Sequence, residues 1–173
     1  MKKTGTFICL ISERRFKKVN SLGTDEIIEK TVEKYSPSML RAAFSVLRNT
    51  HDAEDAVQEA FVKLVRLKPS FNDESHEKAW LLRVTINNAK NIRRSFSRQG
   101  TSLDENLPFT YTENTDVLNE VLSLPEKYRV VIHLYYYEGY SIKEIAEILN
   151  KPASTVGTLL SRGRNMLKTF LRG

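Results

Sequence analysis

The sequence predicts an all-α protein, two small helical domains joined by a flexible linker. Apolar residues recur at helical spacing behind recognisable start and stop signals, while strand signals are nearly absent. A polar stretch over 95–114, "SFSRQGTSLDENLPFTYTEN", interrupts the pattern with Ser, Thr, Asn and turn formers. The length of 173 residues allows one ordinary domain or two small ones, neither with a large core.

The spacing predicts helices over roughly 25–35, 37–48, 52–67, 76–95, 116–123, 126–138, 141–149 and 154–170. Residues 1–22 show no packing pattern and read as a flexible N-terminal extension. Ser36-Pro37 places an N-cap before a proline at the first helical position, where the missing N–H would be unpaired anyway. In 52–67, Ala53, Ala56, Val57, Ala60, Phe61 and Leu64 form one apolar face. In 76–95, Leu81, Val84, Ala89 and Ile92 form the core side. Ser141 with Glu144 fits a capping box. The helix it opens turns Ile142, Ile145, Ala146 and Leu149 inward, "NKPA" makes a tight turn, and the last helix turns Val156, Leu160, Gly163, Leu167 and Phe170 inward.

Composition narrows the class. Charged residues at 28% and apolar ones at 40% fit a soluble protein and are too apolar for a disordered one. A lone cysteine, Cys9, excludes an intramolecular disulfide or a Cys-based zinc site, which suits the cytoplasm. The early run "FICLI" is too short for a signal peptide, and no later apolar run reaches membrane-spanning length, so no membrane insertion is expected.

Charge is segregated. Lys78 to Arg98 carries Lys78, Arg83, Lys90, Arg93, Arg94 and Arg98 with no acid; Thr101 to Glu126 is purely acidic; Lys151 to Gly173 is again purely basic. Within a net charge of +6, two basic blocks around an acidic one suggest two sites for one polyanion. Three ordinary solvated surfaces are the plain alternative.

Against that basic background stands "HDAEDAVQEAF", His51 to Phe61. Asp52, Glu54, Asp55, Gln58 and Glu59 occupy the arc opposite the apolar face. The acids nearest the start face the positive end of the helix dipole. Gln58 and Glu59 have no capping role, although Glu59 could pair with Lys63 four residues on. The arc reads as a protein-docking face, as a solvated face, or as a carboxylate metal cluster with His51.

The helix from Trp80 carries Arg83, Asn87, Lys90, Asn91 and Arg94 on one side, with Trp80 at its edge and Phe71 and Asn72 in the loop before it. Arg and Lys neutralise phosphate, Asn bonds base edges, and an aromatic ring supports an unstacked base. Trp80 and Phe71 could equally fill a core. The segment from Ser141 to Leu160 and beyond reads as a helix-turn-helix that leaves Ser154, Thr155, Thr158, Ser161, Arg162, Asn165 and Lys168 open for a major groove.

Together these motifs resemble the sigma-70 family, specifically the small extracytoplasmic-function (ECF) sigma factors. "DAEDAVQEAFVKL" resembles the core-polymerase-binding helix of region 2, and "AWLLRVTINNAKN" the promoter-melting and minus-10 segment. "LPEKYRVVIHLYYYEGYSIKEIAEILNKPASTVGTLLSRGR" resembles region 4. The resemblance implies region 2 over 23–95, an acidic linker over 96–114 and region 4 over 115–173. It implies no catalysis, no cofactor, no metal and no small-molecule substrate. Its implied partners are bacterial core RNA polymerase (the clamp helices of the largest subunit, and the flap), promoter DNA and an anti-sigma factor.

On this resemblance Gln58 and Glu59 match the family's Gln-Glu pair that meets the polymerase, with Asp52 and Asp55 in support. Phe71, Asn72, Trp80, Arg83, Asn87, Lys90, Asn91 and Arg94 would meet the minus-10 strand, and the open residues of the last helix the minus-35 duplex. One departure stands out: where many members carry Gly-Thr-Val-Lys-Ser-Arg, this chain reads Ser154-Thr155-Val156-Gly157-Thr158-Leu159. Gly157 also costs the helix roughly 1 kcal/mol relative to Ala. Two rival readings are a stand-alone helix-turn-helix regulator and a metal-dependent nuclease or phosphotransferase built on the acidic cluster.

Overall fold

The computed structural model describes residues 22–98 and 120–170. Residues 1–21 of the expected extension, most of the linker and the first residues of the helix expected at 116–123 lie outside the described residues. Among the described residues the regular structure is helical, with no strand. The helices are α1 Leu22–Leu47, α2 Thr50–Leu67, α3 Glu74–Arg98, α4 Glu126–Tyr136, α5 Ile142–Leu149 and α6 Ala153–Phe170, with a single helical turn at 120–123 before α4. The chain falls into two compact units, Met1–Pro37 and Ser38–Gly173.

In the first unit the expected break at Ser36-Pro37 does not occur. Helix α1 runs through Pro37. The Ser36 hydroxyl donates back to the Val32 carbonyl at 2.5 Å, four residues earlier, instead of capping a new helix. Proline removes one helical N–H at this point, and the turn before it is kept packed by buried Val32 and Tyr35. Lys30 and Glu26 pair at 2.8 Å on its exposed side.

In the second unit, Met39, Ala42, Ala43, Phe44, Val46 and Leu47 are buried. Helix α1 stops at Arg48, in the left-handed region with φ 57°, whose N–H closes on the Phe44 carbonyl at 2.9 Å. Asn49 then caps α2: its Oδ1 accepts from the Asp52 N–H at 3.0 Å. The apolar face of α2 is buried as expected through Ala53, Ala56, Val57, Ala60 and Phe61, while Leu64 is half-buried. Lys68, left-handed at φ 44°, ends the helix.

Helix α2 packs on α3, but the buried stripe of α3 is not the expected one. Leu81 and Ala89 are buried with Leu82, Thr85, Ile86 and Asn88, whereas Val84 and Ile92 are half-buried. Asn88 explains the shift. Its Nδ2 donates to the Ala56 carbonyl at 3.1 Å and its Oδ1 accepts from Lys63 Nζ at 2.6 Å, so a polar residue ties α3 to α2 inside the core.

The C-terminal helices surround α4, which is buried continuously from Tyr128 to Leu134 because α5 and α6 both pack against it. The capping box forms as expected: Ser141 Oγ accepts from the Glu144 N–H at 3.3 Å and Glu144 Oε2 from the Ser141 N–H at 2.8 Å. Asn150, left-handed at φ 50°, closes α5, and α6 starts after Pro152. Helix α5 buries Ile145, Ala146, Ile148 and Leu149; Ile142, expected inside, is 36% exposed. Helix α6 buries Val156, Leu160 and Gly163, with Leu167 half-buried and Phe170 exposed. Gly163 is required for close approach: a Cβ there would sit 3.2 Å from Ile132 Cγ1 and 3.3 Å from Tyr128 Cβ. Helix α5 also packs against α3.

Candidate protein and nucleic-acid interfaces

The first surface is the acidic arc of α2. Gln58 and Glu59 sit half-exposed on a helix fixed from behind by its buried face. The pairing of Glu59 with Lys63 does not form, because Lys63 is drawn to Asn88. Gln58 and Glu59 thus have no side-chain partner among the described residues. His51 and Asp55 pair at 3.6 Å. Burial pushes the Asp52 and Glu54 carboxyls above their usual values; His51 opposes this and Asp55 adds to it. Their ionisation therefore costs the free chain stability as pH rises through those values, and an approaching cationic surface relieves the cost. His51, Asp52 and Asp55 offer ligand atoms within 4.8 Å of one another, all from a stretch of little more than one helical turn at the start of α2.

The second surface runs along α3. Asp73 starts this helix, its Oδ1 accepting from the His76 N–H at 2.8 Å. Phe71 lies edge-on to Trp80 and to His76, with centroids 5.7 and 5.5 Å apart, and both Phe71 and Trp80 are half-exposed, so neither is a core residue. Asn72, Arg83, Asn87, Asn91 and Arg94 are exposed and Lys90 is half-buried. Burial lowers the Lys90 ammonium below its usual value, Glu126 opposes this, and the Lys151 and Arg94 charges add to it.

The structure divides these residues. Asn72, Trp80 and Arg83 line a cavity of about 350 Å³ opposite Tyr140, Glu144, Glu147 and Ile148. Arg83 Nη2 donates to the Glu147 carbonyl at 2.5 Å. Lys90 and Arg94 line a second cavity of about 370 Å³ with Lys127 and Lys151.

The third surface is the open side of α6. Ser154, Thr155, Thr158, Ser161, Arg162, Asn165 and Lys168 are all exposed. Thr158 bonds back to the Ser154 carbonyl at 2.9 Å, and Arg164 is held away from this side by Tyr136, whose hydroxyl accepts from its Nε at 2.8 Å.

Sequence reasoning missed the polar groups that join α1 and α3 to the C-terminal helices. Arg129, buried on α4, donates to the Leu122 and Leu124 carbonyls at 2.7 and 2.8 Å and to Ser45 and Val46 at the end of α1. Arg93 donates to the Val46 carbonyl and pairs with Glu126, both at 3.1 Å. Glu138 is buried with Ser38, Arg41, Lys78 and His133 around it. An arginine and a glutamate in otherwise apolar stretches were the available signals.

Comparison with known proteins identifies the family. Residues 31–99 match the profile "Sigma-70 region 2" and residues 115–167 match "Sigma-70, region 4". The chain is 30% identical over 184 aligned positions to the ECF RNA polymerase sigma factor SigW of Bacillus subtilis, covering 94% of this chain and 98% of that one. It is 33% identical to the ECF RNA polymerase sigma-E factor of Haemophilus influenzae, over 70% of this chain and 76% of the relative. Among solved structures, the sigma factor RpoE of Bartonella quintana, in complex with the anti-sigma factor NepR, shares the fold with a TM-score of 0.73 at 23% identity, covering 85% of this chain and 98% of that one. CnrH, in complex with the cytosolic domain of CnrY, gives 0.61 at 20% identity over 96% of each. A relative matched along nearly its whole length, and both sigma-70 regions found in order, place this chain in the ECF RNA polymerase sigma factor family.

Proposed function

We propose that this sigma factor, which directs transcription initiation, docks on bacterial core RNA polymerase through the acidic arc of α2. Gln58 and Glu59 are the principal contacts to the clamp helices of the largest subunit, with Asp52 and Asp55 supplying charge. The observation that carries this reading is the unpartnered state of Gln58 and Glu59 on a helix anchored by its opposite face. A stand-alone regulator leaves that arc without a use.

In this reading the chain works as two functional parts, 23–95 and 115–173, joined by the acidic 96–114 segment, and acts in the cytoplasm by binding alone. Phe71, Asn72, Trp80, Arg83, Asn87, Lys90, Asn91 and Arg94 take the minus-10 strand, the aromatic pair receiving an unstacked base and the cations neutralising phosphate. Ser154, Thr155, Thr158, Ser161, Arg162, Asn165 and Lys168 face the minus-35 groove. The C-terminal part also meets the flap, and an anti-sigma factor restrains the chain. The solved complex of the sigma factor RpoE with the anti-sigma factor NepR supports that last partner by likeness of fold.

Co-elution of the purified chain with core polymerase tests the docking. Gln58→Ala with Glu59→Ala is expected to weaken binding by about 30-fold or more, the effect of losing about 2 kcal/mol at an interface hot spot. Helicity by circular dichroism should not change. Unaltered binding by the double variant overturns the assignment.

A further inference from the structure

Glu138, in the turn after α4, has a side chain only 2% exposed. Its Oε2 accepts from the Ser38 hydroxyl and pairs with Lys78 Nζ at 2.8 Å; its Oε1 lies 3.6 Å from Arg41 Nη2 and 3.5 Å from His133 Nε2. Ser38 and Arg41 belong to α1 and Lys78 to α3, so three of the four groups come from the N-terminal helices. A buried carboxylate stripped of most of its partners is strongly unfavourable, and here three of the four, all but His133, are present only while the helices from both halves are together. The named contacts nearby are also polar: Arg83 to the Glu147 carbonyl, Arg93 to Glu126, and Arg129 to the end of α1. Such a seam can part and re-form more readily than an apolar one.

What the seam covers gives it a consequence. Asn72, Trp80 and Arg83, which the proposed function assigns to the minus-10 strand, look across a cavity at Glu144 and Glu147 of α5. A single strand entering there would meet two carboxylates and find Arg83 already bonded. We propose that Glu138 is an intramolecular latch: its ionic seat on Ser38, Arg41 and Lys78 holds the chain closed, masks the minus-10 face with α5, and must release before that face can take DNA. The masking half rests on the proposed function, whereas the latch itself rests on geometry alone.

The test uses the full chain with Cys9→Ser and spin labels on Ser70→Cys and Lys143→Cys, two exposed positions outside the proposed contacts. Electron–electron double resonance is expected to give a dominant narrow distance peak with a minor longer component of about a tenth for this background, and a broad, longer distribution when Glu138→Gln or Lys78→Gln is added. Lys78→Gln leaves the α4–α5 hairpin untouched, which keeps the test valid if Glu138→Gln perturbs folding. Unchanged distributions in the folded variants overturn the latch.

Affinity for a labelled mixed-sequence single strand, read by anisotropy on unlabelled protein, tests the masking. Lys78→Gln is expected to raise it about tenfold, the gain when an open form near a tenth of the population becomes dominant. That gain would come despite the loss of a positive charge. An opened chain with no gain overturns the masking and the assignment of this face to DNA, leaving the latch geometry standing.

Discussion

Asn88 shows what a single residue decides here. It holds α3 to α2 through the Ala56 carbonyl, and it takes Lys63 away from Glu59, so a hydrogen bond inside the core leaves an acid free on the surface. Asn88→Ala should cost about 1–3 kcal/mol, because the Ala56 carbonyl loses its side-chain donor; urea denaturation would measure it, and a loss under 0.5 kcal/mol would mean that water replaces the amide. Hydrophobic periodicity could not find this residue, since a pattern of apolar positions assigns Val84 and Ile92 to the core before Thr85 and Asn88. Glu138 was hidden for the same reason. Burial raises its carboxyl, but contacts with His133, Lys78 and Ser38 outweigh that and hold it well below the ordinary value of 4.5. A carboxylate depressed on folding contributes its stability above its unfolded value and loses it as pH falls through the folded one, so this seat holds through neutral and mildly acidic conditions.

At the level of elements, helices α2 to α6 were legible because each carries its own signals. Ser141 and Glu144 close a local box, and the small-residue stripe of α2 needs only one apolar neighbour. Helix α1 was misread because Ser36-Pro37 is a good local start signal that the continuing helix overrides. In α6 two glycines have opposite roles. A Cβ at Gly157 meets nothing within 4 Å, whereas one at Gly163 meets Tyr128 Cβ and Ile132. Gly157→Ala should therefore stabilise the chain by about 1 kcal/mol. Gly163→Ala should lose more to crowding than it gains in helix propensity, for a net cost of about 1 kcal/mol. Paired thermal melts check both, and a stabilised Gly163→Ala would show that α4 and α6 separate at little cost. The seven residues expected on the open side of α6, from Ser154 to Lys168, are all exposed because apolar spacing fixes most of the side left over, although Arg164 and Phe170 are exposed as well.

For the whole molecule, the two basic blocks of the sequence become the cations along α3 and the exposed side of α6, and the acidic stretch from His51 to Phe61 becomes an arc on α2. The sequence could not reveal that the face of α3 meets α5, since that depends on Glu138, Arg83 and Arg129 finding partners many residues away. The proposed division of labour gives the acidic arc to the polymerase and the basic helices to DNA. Hydrogen–deuterium exchange of the full chain, alone and with core RNA polymerase, tests it most directly. Slower exchange in the α2 segment that carries Gln58 and Glu59 is the predicted result, with or without slowing in the C-terminal helices where the flap binds. Unchanged exchange in α2 in a complex that has formed would contradict it.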